Sequence, residues 1–204
     1  GLGSNSLMNG TVDFGSNIPV AISNGNTHTC AILDDASLKC WGRNNHGQLG
    51  DGSYVNRNTP VDVNLGVNRT AVTVSAGNDF TCALLNTGDV KCWGYNGFGT
   101  LADGTTTDSN TPVNANHSTG IRAVSLATPG YSVCSIFENG SVYCWGRSYT
   151  VSAENGAVTN GSVNIPFSAG RSAVSLDGTY WHTCAILDNG SMNCWGLNTH
   201  GQWG

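Results

Sequence analysis

The segment Cys134-Ser135-Ile136-Phe137-Glu138-Asn139-Gly140-Ser141-Val142-Tyr143-Cys144 reads as a short strand, a turn and a second strand. Counting inward from both cysteines leaves a three-residue loop, Glu138-Asn139-Gly140, which suits a type I turn followed by glycine in the left-handed region. Cys134 then faces Cys144 at a non-hydrogen-bonded position, where Cα atoms stand about 4.5 Å apart, inside the span of a disulfide. The same spacing of ten separates Cys30 from Cys40, Cys82 from Cys92 and Cys184 from Cys194. Eight cysteines allow 105 connectivities in general, but the repetition selects one, each cysteine with the partner ten residues on. Asn86-Thr87-Gly88 and Asp188-Asn189-Gly190 repeat the loop, whereas the first hairpin has Ala36 where glycine is expected, which predicts an irregular turn there. Zinc sites are the rival reading, but they place their cysteines two to four residues apart. Disulfides persist outside the cytosol, so the expected location is extracellular or periplasmic.

Working outward, the pairs recur at offsets of 52, 52 and 50 residues, the kind of period that marks solenoids, propellers and arrays. Cys40-Trp41-Gly42, Cys92-Trp93-Gly94, Cys144-Trp145-Gly146 and Cys194-Trp195-Gly196 close the hairpins. An alternating strand precedes each one: Val20-Ala21-Ile22, Val72-Thr73-Val74, Val124-Ser125-Leu126 and Val174-Ser175-Leu176. Further upstream, strands are expected to begin at proline in Pro60-Val61-Asp62-Val63 and Pro112-Val113, and less clearly in Pro166-Phe167. Four short strands per repeat with no helical period make one propeller blade. The expected fold is therefore all-β, with four disulfide-stapled blades of about 51 residues in approximate units 1–50, 51–102, 103–154 and 155–204, as an open arc or part of a larger propeller.

The run His28-Thr29-Cys30-Ala31-Ile32-Leu33, then Lys39-Cys40-Trp41-Gly42-Arg43-Asn44, then Gly47-Gln48-Leu49-Gly50-Asp51-Gly52 resembles the regulator of chromosome condensation repeat family. The likeness covers the whole chain and is most specific in repeats one, two and four. In repeat three Arg147-Ser148-Tyr149-Thr150 replaces the Asn-rich stretch, which points to a remodelled loop. The resemblance implies propeller blades, usually seven in a closed ring, and similar propellers serve as nucleotide-exchange factors, secreted β-lactamase inhibitors and lectin-like binders.

Composition narrows the partners. Eight Lys and Arg against thirteen Asp and Glu give a net charge of -5, the wrong sign for the counterion release that drives nucleic-acid binding, so nucleic acid and anionic membranes are not expected as partners. No apolar run approaches the roughly 20 residues of a spanning helix. No nucleophile motif or paired carboxylate stands out, so the chain is read as non-enzymatic, with no cofactor and no metal.

Trp41, Trp93, Trp145 and Trp195 hold one position in every repeat, as packing between blades requires. Trp181 and Trp203 break the pattern, replacing Asp79 and Leu49, and are candidate interface anchors together with Val12 and Phe14 of an expected N-terminal strand, Val12-Asp13-Phe14. His46 and His200 share one repeat position, His28 and His182 another, and His117 stands alone; turn and hairpin hydrogen bonding is their expected work. Sequons at Asn9, Asn68, Asn116, Asn139, Asn160 and Asn189 are glycosylation candidates. With about two dozen Asn and a fifth of residues Ser or Thr, their number is what chance supplies.

Gly201-Gln202-Trp203-Gly204 aligns with Gly47-Gln48-Leu49-Gly50, and Gly1-Leu2-Gly3 resembles the end of that motif. The matching phase leads to a first reading, a secreted structural protein that associates head to tail with other copies of itself, as a ring or a filament. The second reading is a secreted binding module for a protein or glycan ligand, either closed on itself or a fragment of a seven-bladed protein.

Overall fold

The computed structural model describes residues 10–116, 120–147, 158–168 and 170–204. Among them the chain is all β, in four antiparallel sheets. The first blade orders β1 (Pro19–Asn24), β2 (His28–Leu33), β3 (Leu38–Gly42) and β4 (Arg57–Asp62) side by side. The second repeats this with β5 (Ala71–Ala76), β6 (Phe80–Leu85), β7 (Val90–Gly94) and β8 (Ser109–Asn114). The third has β9 (Ala123–Ala127), β10 (Ser132–Phe137), β11 (Val142–Arg147) and β12 (Val158–Ile165). The fourth has three strands, β13 (Ala173–Gly178), β14 (His182–Leu187) and β15 (Met192–Gly196). First strands of neighbouring sheets approach one another, β1 on β5, β5 on β9 and β9 on β13, so they lie on the axial side of an arc whose sheets do not close.

Each central hairpin holds the expected register. Cys30 pairs with Cys40, Cys82 with Cys92, Cys134 with Cys144 and Cys184 with Cys194, and all four are disulfides with Cα atoms 4.0–4.1 Å apart. No cysteine is free. Leu33 N–H donates to Ser37 O and Ala36 N–H to Leu33 O, both at 2.9 Å, the same two bonds that close the glycine-containing loops. The irregular first turn is therefore not found: Ala36 takes the left-handed conformation, φ 63°, that Gly140 takes at φ 75°. The hairpin geometry outweighs the steric cost of a Cβ at that φ, about 1–2 kcal/mol.

Three strand expectations change. Strands β4 and β8 begin three residues before Pro60 and Pro112 and pair with the Cys-Trp-Gly strand before them, and β12 ends at Ile165, ahead of Pro166-Phe167. Proline is tolerated inside β4 and β8 because each is an edge strand whose register shifts beside the proline. Val12-Asp13-Phe14 is not a strand. Its neighbouring backbone bonds to carboxylates instead of a ladder, Gly15 N–H to Asp13 and Ile18 N–H to Asp34.

The core lies between blades. Ile32, Leu38 and Leu49 of the first blade bury against Val74, Leu85 and Trp93 of the second. Leu84, Val90 and Leu101 meet Leu126, Phe137 and Trp145, and Ile136 and Val142 meet Ala185, Leu187 and Trp195 in the same way. Polar groups complete each junction. Asn44, fully buried, donates from Nδ2 to Asp51 Oδ1 and the carbonyls of Ser53 and Val55, while its Oδ1 accepts from Leu49 N–H. Asn96 repeats the knot with Asp103, Thr105 and Leu101. Gly94 shows why Cys-Trp is followed by glycine: at φ 103° a Cβ would stand 2.6 Å from the Asp79 carbonyl oxygen.

Candidate interaction surfaces

Repeat equivalence exposes the two ends of the arc. Ile186 and Met192 are 44% and 64% exposed, whereas their counterparts one blade earlier, Ile136 and Val142, are 3% and 0% exposed beneath the next blade. Trp203, in the place of buried Leu49, is also exposed, and the edge of β15 away from β14 pairs with no described strand. At the other end Ile22 is 65% exposed where Val74 is 7%. Trp41 is half-buried while Trp93 and Trp145 are fully buried. Phe14 covers part of it edge to face, with ring centroids 5.7 Å apart. Val12 is half-buried beside it in sequence. Asn17 anchors the same segment by donating from Nδ2 to Asp35 at 2.5 Å.

A second surface lies at the end of the blades where the first and second strands, and the third and fourth, are joined. Tyr95 and Phe98 follow β7, Tyr131 precedes β10, and Tyr180 and Trp181 precede β14. Tyr95 contacts His46, Phe98 and Tyr131 at 5.1, 5.6 and 5.4 Å between centroids. Tyr131 in turn meets Tyr180 at 6.1 Å, and Tyr180 meets Trp181 at 4.4 Å. The rings thus form one shelf across four blades. Arg147 lies 4.7 Å over Phe98 and donates to Tyr180 Oη at 3.2 Å, a cation–π placement. Tyr131 Oη donates to Asp79 at 2.7 Å; burial first, then that bond, push its hydroxyl up to about 12. Burial, then Asp108, raises Tyr95 as well. At neutral pH Tyr95 and Tyr131 are therefore protonated phenols, suited to stacking and hydrogen bonding.

The histidines are hydrogen-bonded at separate places. His28 is buried with Nε2 2.8 Å from Thr81 Oγ1, and His46 Nδ1 is 2.7 Å from Asp108 Oδ2. His182 and His200 contact Thr179 and Thr199, and His117 lies outside the described residues. Burial holds His28 down at about 4 against the opposing charge of Asp79. No three His, Cys, Asp or Glu among the described residues come together as metal ligands. Of the sequons, Asn68, Asn116, Asn139 and Asn189 are exposed. Asn9 lies outside the described residues and the Asn160 side chain is not described. Asn139 and Asn189 accept through Oδ1 from the hydroxyls of Ser141 and Ser191 at 2.6 and 2.7 Å.

Trp181 was legible as a break in the repeat, and Tyr131 occupies the same repeat position, so the same signal was available for it. Arg147, the end of β11, opens the stretch in which repeat three departs, and Tyr95 shares its repeat position; what sequence does not show is that both converge in space with Phe98, which lies in a loop.

A family model described as the regulator of chromosome condensation (RCC1) repeat matches residues 38–84, and a second model of that description matches 20–48, 71–100 and 173–202. Together they span more than half of the chain. The ultraviolet-B receptor UVR8 of Arabidopsis thaliana is 33% identical over 128 residues, covering 62% of this chain and 29% of the receptor. The human E3 ubiquitin-protein ligase HERC2 is 27% identical over 129 residues, covering 63% of this chain and 3% of the ligase. The chain thus spans less than a third of either relative. Human WBSCR16 superposes with a TM-score of 0.85 at 21% identity, covering 95% of this chain and 51% of that one. Yeast RCC1 (Prp20), solved bound to Kap60, gives 0.77 at 21% identity, covering 91% and 45%. At such identities these structures establish the fold alone.

Proposed function

The chain belongs to the regulator of chromosome condensation repeat family, and from that membership and the two uncovered blade ends we propose that it is a non-catalytic extracellular propeller segment that associates head to tail with copies of itself. The observation that carries this reading is the exposure of Ile186 and Met192, at positions that the next blade buries in the three preceding repeats. The internal junctions state what such a face accepts: the side of a blade bearing the equivalents of Val74, Leu85 and Trp93. In a second copy that side carries Ile22, Leu33 and Trp41. Allowing one residue of length difference, Val12 and Phe14 hold the places of Val63 and Leu65, which lie in the cluster with Trp93. The residues ahead of Val12 then fall in the phase of a fourth strand, and the proposed junction adds them to the outer edge of β15, with Trp203 packed beneath. Four disulfides and no free thiol support the extracellular placement. The ligase activity of one relative is not carried over, because the shared segment is 3% of that protein.

Multi-angle light scattering and negative-stain imaging of the native chain test this. The expected species are multiples of 21.2 kDa, dissociated by Met192→Lys or Ile186→Lys with the blades still folded by circular dichroism. A monodisperse monomer at high concentration, or lysine variants that assemble as the parent does, would overturn it.

The aromatic shelf favours a second reading, a propeller binding module with a protein or glycan ligand. Tyr, Trp and Arg are the residues that concentrate binding energy at interfaces. One solved relative, yeast Prp20p, is described by its binding to Gsp1p and histones. Saturable quenching of Trp181 fluorescence by an oligosaccharide or protein, lost in Tyr180→Ala, would support this reading. Quenching unchanged in that variant would count against the shelf.

A further inference from the structure

Three of the chain's eight cationic side chains, Arg69, Lys91 and Arg122, converge on one groove at the hairpin-loop end of the second and third blades, opposite the aromatic shelf. The groove holds about 580 Å³ and is floored by Leu65, Val90 and Ala115. Arg122 is fixed there: its side chain lies over Gly88, where a Cβ would stand 2.6 Å from the arginine Cβ, and its Nη2 donates to Asn86 O at 3.2 Å. Asp89, 4.0 Å from Arg69, is the acid in the lining, and Glu138 stands 3.5 Å from Arg122 at the rim. Both are exposed pairs of the sort that contribute little and are readily exchanged for another anion.

The repeats supply an internal control. In the first blade Lys39 sits opposite Asp62 across the ladder and forms an ion pair with it at 2.5 Å. In the second blade Lys91 holds the same place, but its cross-strand partner is Asn114. An amide has replaced the carboxylate, so Lys91 has no acid across the ladder while two arginines converge on the same groove. The other blades do not repeat the set: Asn17 and Thr70 stand where Arg69 and Arg122 would be in the first, and Tyr143 stands in the place of Lys91 in the third.

We propose that this groove binds a small multivalent anion carrying carboxylate or phosphate groups, its charges shared between Lys91 and the arginine pair. Three cations against Asp89 in the lining and Glu138 at the rim still leave the groove locally positive on a chain of net charge -5. A long polyanion would extend beyond the groove, more than a Debye length of about 8–10 Å from its cations, and meet the repulsion of a chain of net charge -5, whereas a compact one keeps its charges within it. Binding here is independent of head-to-tail association, because none of these residues lies on an end face of the arc.

Titration of the native chain with citrate and with inorganic phosphate, followed by calorimetry and amide NMR at low salt, tests the proposal and separates the two anion chemistries. Expected is saturable binding of at least one of them, with shifts centred on Lys91 and Arg122. Lys91→Gln should weaken it by about tenfold. Asn114→Asp, which restores the acid of the first blade and keeps the lysine, should weaken it comparably, and Lys39→Gln should leave it unchanged. The proposal is overturned if neither anion saturates, if Lys91→Gln and Asn114→Asp bind as the parent does, or if a long polyuronate binds more tightly than citrate.

Discussion

The indole Nε1–H of Trp93 donates to the main-chain carbonyl of Gln48 at 2.9 Å, so a side chain of the second blade closes the turn that ends the first. Thr81 Oγ1 donates to the same oxygen at 2.9 Å, and Trp145 repeats the bond on Thr100 O at 3.0 Å. Because these contacts join blades, the four repeats are expected to unfold cooperatively.

Trp93→Ala should destabilise the chain by about 3–5 kcal/mol, the usual loss for a buried tryptophan. Trp93→Phe should cost less, since Gln48 O keeps its bond from Thr81. Trp41→Ala should cost less than Trp93→Ala, because Trp41 is only half-buried. Guanidinium unfolding midpoints, with slopes checked for constancy, rank the three.

Each disulfide closes a loop of eleven residues, which on the chain-entropy account contributes about 2.5–3 kcal/mol. Replacing both Cys134 and Cys144 by alanine should cost about that much plus the loss of two fully buried sulfurs. The Cys184–Cys194 pair, less buried in the fourth blade, should cost less when replaced in the same way. Thermal unfolding of the two double variants makes the comparison.

Ala36→Gly should stabilise the protein by about 0.5–1 kcal/mol, the strain relieved at φ 63° less the entropy glycine brings to the unfolded chain. Gly140→Ala should destabilise by more than that, because its Cβ would run into Ser172 as well as adopting φ 75°. Opposite signs at two equivalent turn positions are the result to look for in paired melting curves.

His28 in the folded protein binds its proton only near pH 4, while the free side chain does so near 6.5. Between those values the unfolded chain takes up a proton that the folded one excludes. Stability from this group is therefore complete above pH 6.5, falls as pH drops toward 4, and is flat below. The loss is about 3 kcal/mol at most. His28→Phe, which installs the residue that the second blade has at Phe80, should remove that slope. Urea midpoints taken between pH 4 and 7 on both proteins measure it.

Deleting residues 1–14 removes Phe14 from Trp41 and the proposed donor strand together. Assembly by light scattering should be lost while the four hairpins remain oxidised and folded. A truncated chain that assembles as well as the parent would be incompatible with strand donation.

Much of the fold was legible because disulfide spacing and strand alternation are local. Ten residues between cysteines leave a hairpin one register, and Cys-Trp-Gly repeated four times marks the same place in every blade. The pairing of the proline strands was not legible for the opposite reason. Pro60 and Val61 are compatible with either hairpin, and only packing decides that β4 pairs with β3. Val12-Asp13-Phe14 has the pattern of a strand but is not one, because alternation does not by itself supply the partner a ladder requires.

The surfaces divide in the same way. Sequence by itself determined the blade, its staples and the identity of Trp181 and Trp203 as departures from the repeat, since each follows from comparing one repeat with the next. Tertiary structure alone decided that Tyr95, Tyr131 and Tyr180 form one shelf, that Ile186 and Met192 are uncovered while Ile136 and Val142 are not, and that Arg69, Lys91 and Arg122 share a groove. These residues are separated by one blade or part of one in sequence. The rotation between blades, which no local pattern encodes, brings them together or leaves them bare.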